Sequence, residues 1–109
     1  MTTTLKVLGQ VAPAATTLTT LYTVPASTSA VCSTLIATNR ATTATTIRVA
    51  VRVAGAAISD KAYIIYDLNV PGSNGHVSTI GISLATTDVV SVYSLSGTVS
   101  FNLFGEEIT

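Results

Sequence analysis

Charge is what this sequence has least of. Charged residues fill 9% of its 109 positions, against roughly 25% in an ordinary soluble protein. Five Lys or Arg balance five Asp or Glu, so the net charge is zero. So few cations build no basic patch, which argues against nucleic-acid binding. Nor does net charge keep copies apart, which favours a chain that works inside an assembly.

Tryptophan is absent and cysteine occurs once, as Cys32. An intrachain disulfide is therefore excluded, and with it the Cys–Trp–Cys signature of antibody domains. Cys32 lies in the apolar stretch from Ala30 to Ile36 and reads as a small buried hydrophobe. No apolar run approaches the ~18 residues of a membrane helix. The start, Met1 to Lys6, lacks the basic and apolar regions of a signal peptide. The sequence thus predicts no membrane association and synthesis in a cytoplasm without export. Apolar stripes at i, i+3, i+4 and i+7 are missing as well, so helix content should be close to nil.

What the chain does have is β-branched residues. It is 48% hydrophobic, a composition opposite to that of disordered segments. Thr, Val and Ile dominate, and these suit a pleated surface. The clearest strand is Thr46 to Val53: Ile47, Val49, Val51 and Val53 point one way, Arg48, Ala50 and Arg52 the other. That period of two marks a half-buried antiparallel strand. Lys61 to Leu68 reads as a strand apolar on both faces, Tyr63 and Ile65 on one, Ile64, Tyr66 and Leu68 on the other. An apolar outer face points to a subunit contact.

Further strands are expected over Thr3–Leu8, Thr17–Val24, Ala30–Thr38, His76–Leu84, Val89–Ser94 and Thr98–Phe104. Pro25, Asn39-Arg40, Pro71 to Gly75, Thr87-Asp88 and Ser96-Gly97 punctuate them, Asn74-Gly75 as a tight-turn pair. About eight short strands at spacings of ~8–12 residues predict an all-β sandwich, jelly-roll or immunoglobulin-like, with little or no helix. Residues 1–16 form an N-terminal arm or strand, available to a neighbouring subunit's sheet edge, and residues 17–109 form the sandwich domain.

Chemistry finds few footholds. Asp60 and Asp67 flank one strand and stand roughly 20 Å apart at ~3.3 Å per residue. Asp88 sits in a turn, and Glu106 and Glu107 follow Gly105 near the end. His76 follows a turn, far from Cys32. There is no HExxH, CxxC or P-loop, and Val53 to Ala57 reads as a flexible turn. The sequence therefore predicts no enzyme, no catalytic residue, no metal and no cofactor. Candidate interface residues are Tyr66, Arg48, Arg52, Tyr63 and Tyr93, aromatic anchors with arginine charges at their rim. Sugar binding through Tyr63, Tyr66, Asn69 and Asn74 is the competing recognition function, without a specific spacing to carry it.

Several stretches together carry a likeness. They are Leu8-Gly9-Gln10, Leu21 to Ala26, Ser33 to Arg40, Ile47 to Arg52, Tyr66-Asp67, Ala85 to Tyr93 and Ser100 to Ile108. The chain resembles small virion structural proteins of tailed bacteriophages, including cyanophages, over most of its length. The resemblance implies a viral structural protein at the capsid surface of the virion: a cement or decoration protein. Its partner would be the major capsid protein, and its own state a homo-oligomer, a trimer before a dimer. A tail, collar or fibre component and a virion glycan-binding module are the alternatives.

Overall fold

The computed structural model describes residues 1–79 and 81–109. Nine strands occur among them. They are β1 (Thr3–Val11), β2 (Thr19–Thr23), β3 (Ser29–Asn39), β4 (Thr45–Arg52), β5 (Tyr63–Val70), β6 (Gly75–Ser78), β7 (Ile82–Leu84), β8 (Val89–Ser94) and β9 (Val99–Ile108). Two single 3-10 turns, Val53–Gly55 and Asp60–Ala62, lie between β4 and β5. No α-helix occurs among the described residues.

The strands form two antiparallel sheets packed as a sandwich. The first has the order β1-β9-β3-β6, with β7 also on β3; the second has the order β2-β8-β4-β5. The expected strand His76–Leu84 is thus two: β6 pairs with Leu35–Thr38 and β7 with Ala30–Cys32. That stretch includes Ile80, which lies outside the described residues. With β6 and β7 taken as one broken strand, the pairings nest. β4 pairs with β5, β3 with β6 and β7, β2 with β8, and β1 with β9. A long hairpin rolled so that successive pairs alternate between sheets is a jelly roll.

Strict alternation builds the core. Ile47 and Val49 of β4, Val90 and Val92 of β8, Leu35 and Ala37 of β3, and Phe101 and Leu103 of β9 all lie buried between the sheets. Fully burying one such Val, Leu, Ile or Phe side chain contributes ~1.5–3 kcal/mol, so this seam is the main stabiliser. At one end, Asn39 is 1% exposed and has both ends of its amide engaged. Its Nδ2 donates to the carbonyls of Thr43 (2.8 Å), Val70 (3.3 Å) and Pro71 (3.3 Å). Its Oδ1 accepts from Ala41 N–H (3.1 Å) and Thr98 Oγ1 (3.0 Å). Of the turns beside it, Ser73 takes the positive φ of 54°, while Gly75 starts β6.

Within residues 1–16, β1 pairs with β9 of its own chain, from Thr3↔Ile108 to Val11↔Phe101. The register slips once, between Val7 and Gly9, which turns Leu8 into the core. A Cβ at Gly9 would run into the Leu21 carbonyl, so glycine lets β1 close onto β2 there.

Candidate interaction surface

Arg48 stands on the outer face of the second sheet. β8 brings Tyr93 directly opposite it. On its other side β5 is irregular: Ile47 pairs with Leu68 and Val49 with Ile65, so Tyr66 and Asp67 together oppose Arg48. This is a β-bulge, with Asp67 at a φ of 52°. It presents the tyrosine ring and the carboxylate to one guanidinium.

The result is a clamp. The Arg48 guanidinium carbon lies 4.3 Å from the Tyr66 ring centre and 4.6 Å from that of Tyr93. Arg48 Nε donates to Asp67 Oδ1 at 2.6 Å and Nη2 to Oδ2 at 3.3 Å. The Asp67 hydrogen bond holds the guanidinium above its already high ordinary pKa, so the charge is permanent. Two ring faces and a two-pronged carboxylate leave it one orientation. Tyr63 meets Tyr66 edge to face, with ring centres 4.9 Å apart and planes at 82°. Tyr66 itself is 59% exposed. Beside it, Asp60, Tyr63 and Tyr66 line a shallow depression of about 440 Å³.

The same bulge corrects the face assignment along this strand. Ile65 and Leu68 both pack against the core although they are three residues apart. A second slip, at Ile64, leaves that side chain exposed. Uninterrupted alternation would have put Ile65 and Leu68 on opposite faces.

The structure thus brings Arg48, Tyr63, Tyr66 and Tyr93 together and sets Arg52 apart. Arg52 donates from Nε to the Ala56 carbonyl (2.7 Å) and from Nη2 to the Gly55 carbonyl (3.0 Å). Its Nη1 reaches Ser91 Oγ at 3.5 Å. Asp88 holds the same loop from the other side, accepting from Ala54 N–H at 2.8 Å and Ala85 N–H at 2.9 Å. The stretch Val53–Ala57, expected to be a flexible turn, is therefore tied down by an arginine and a buried aspartate. Ala50 and Ser91, on the outer sheet face, are buried.

The outer face of the first sheet is different in kind. Leu5, Val7 and Val77 are exposed there. Phe104 pairs with Val7 on β1 and Thr34 on β3, and Ile36 lies opposite Val77. Leu5 and Val77 are not among the interface candidates that the sequence offers. The alternation Thr3-Thr4-Leu5-Lys6-Val7 is the signal that points to Leu5.

Groups able to do chemistry are scattered. His76 lies on β6, where its Nε2 and Ser78 Oγ share a hydrogen bond of 2.7 Å. Among the described residues no carboxylate bonds to that ring, so a nucleophile, a base and a group orienting the base do not assemble. No group of three or more His, Cys, Asp or Glu placed to hold a metal occurs among the described residues. Burial pushes the Cys32 thiol up to about 11, which keeps it protonated and unreactive near neutral pH. No helix among the described residues is long and apolar enough to cross a membrane. Comparison with known proteins finds no matching family model, no matching curated protein and no matching solved structure.

Proposed function

We propose that this chain is a non-enzymatic structural protein of a phage virion, a cement or decoration protein that binds and stabilises the assembled capsid shell. Its partner in this reading is the major capsid protein, and it acts as a homo-oligomer at the capsid surface. The observation that carries the reading is the clamp of Arg48 between Tyr66 and Tyr93. Arginine and tyrosine are the residues on which protein interfaces most depend. Here they are fixed before any partner arrives, so little side-chain freedom remains to be lost on docking. The low total charge and the exposed Leu5, Val7 and Val77 on the outer face of the first sheet support burial against protein on more than one side. The jelly roll is an argument by analogy only, since it serves viral capsid and lectin domains alike.

A second reading, a virion glycan-binding module, draws on the depression lined by Asp60, Tyr63 and Tyr66. Ring faces and a carboxylate in one shallow depression are the chemistry that a sugar would use. Co-sedimentation of the purified protein with capsid shells lacking it, with isolated tails, and with immobilised glycans separates these readings. Saturable binding to shells alone is the expected result. Binding to tails alone would move the protein to the tail, collar or fibre, and glycan binding without shell binding would make it a lectin.

A further inference from the structure

Sheet edges are where one chain can add to another, and here the edges are unequal. In the second sheet, β2 is five residues long with a register slip at Leu21, and β5 is bulged twice. At the far side of the first sheet, β6 and β7 are four and three residues long. Short, bulged edges resist pairing with other chains. The first half of β1 has neither protection. Thr3 to Val7 runs in unbroken register against Phe104 to Ile108 and carries no proline. Its single cation, Lys6, is tied to Glu107 at 3.2 Å. Leu5 is 78% exposed and Val7 46%.

The direction of the free backbone groups follows from one observed pair. Thr2 and Thr109 exchange both backbone hydrogen bonds, each at 2.8 Å. Bonded and non-bonded pairs alternate along an antiparallel ladder. Thr4 and Lys6 therefore turn their N–H and C=O groups toward β9, while Thr3, Leu5 and Val7 turn theirs away from the sheet. Among the described residues no strand pairs with that side of β1.

We propose that this edge pairs with the same edge of a second copy, antiparallel about a two-fold axis at Leu5. Thr3 then lies opposite Val7 of the second copy, and Leu5 opposite Leu5. Each of these is a bonded position, so every outward N–H and C=O finds a partner. On the outer face Leu5 meets Leu5 at the axis, with Val7 and Phe104 of both copies beyond it and each chain's Glu106 beside its own Leu5. On the other face Lys6 meets Thr4 and not Lys6, so no like charges face each other directly. A two-fold contact requires such self-complementarity. The contact closes on itself and makes a dimer, where the resemblance implied a trimer first. It rests on the self-association in the function proposed above and not on shell binding.

Sedimentation equilibrium of the full chain, without shells, tests it. Wild type should sediment at twice the chain mass in the micromolar range. Leu5→Pro removes one outward N–H and leaves the β1–β9 bonds intact. Leu5→Glu sets two carboxylates at the axis, each beside the Glu106 that pairs with position 5 of its own chain. Both variants should sediment as single chains, with far-UV circular dichroism confirming that each is folded. In a Cys32→Ser background, Leu5→Cys should cross-link two chains on oxidation, while Thr20→Cys on β2 should not. A wild-type monomer or trimer overturns the proposal, as does a folded Leu5→Glu variant that remains dimeric. A dimer that binds no shell would leave this contact standing and remove the cement function; a monomer that binds shells would do the reverse.

Discussion

Asn39, itself 1% exposed, engages three carbonyls with one amide nitrogen and two donors with one amide oxygen. Removing one partner from a buried hydrogen bond strands the others, at ~1–3 kcal/mol per group. Asn39→Ala should therefore lower unfolding stability by about 2–4 kcal/mol in urea titration. A loss within about 0.5 kcal/mol would contradict the role assigned here. In the sequence Asn39 is legible only as the end of a strand. Its partners at Val70 and Thr98 are remote along the chain, and nothing local in the sequence reveals them. A second residue-scale device sits at the opposite end. The Tyr22 hydroxyl donates to Glu107 at 2.6 Å and holds that carboxyl below its usual range; burial opposes this, and Lys6 adds to it. A carboxyl with a depressed pKa contributes stability above its usual value of ~4.3, lost as pH falls through the folded value. Tyr22 is pushed the other way, first by burial and then by its bond to Glu107. Its share is present below its usual value of ~10 and lost as pH rises above it. Stability should thus fall below pH ~4 and above pH ~10, and Tyr22→Phe should flatten both limbs. Unchanged limbs in the variant would contradict the pairing.

Among the elements, β4 and β5 mark the boundary of what pattern reading reaches. β4 alternates without interruption, so its core residues Ile47 and Val49 and its outer residue Arg48 follow directly from the sequence. β5 does not, because two register slips in eight residues break the period. The slip at Tyr66 and Asp67 is also what makes the clamp, so the least legible feature of the fold positions the candidate site. Arg48 and Arg52 look equivalent in sequence, yet one is clamped between rings and the other fastens a loop. The bulge requires Asp67 at positive φ, which a β-branched residue tolerates poorly. Asp67→Val should be less stable than Asp67→Gly by about 1–3 kcal/mol, although both lack the carboxylate. Equal denaturation midpoints for the two variants would show that the backbone there is not constrained.

At the scale of the molecule, the sandwich measures 45 × 27 × 20 Å and offers two unlike faces. One carries the arginine and tyrosine clamp, the other exposed Leu5, Val7 and Val77 interspersed with polar side chains such as Glu106 and Asn102. The all-β class was legible because it depends on local alternation and turn residues. The jelly-roll order was not, because β1 with β9 and β2 with β8 join the ends of the chain and no local signal encodes such pairings. A protein that binds an assembled shell and not its separated subunits must stabilise the shell by mass action. The most direct measurement is the temperature at which capsid shells lacking this protein come apart, with and without it at saturation. Wild-type protein should raise the disruption temperature, and Arg48→Ala at the same concentration should abolish or sharply reduce that rise. An unchanged disruption temperature under saturating wild-type protein would contradict the cement function.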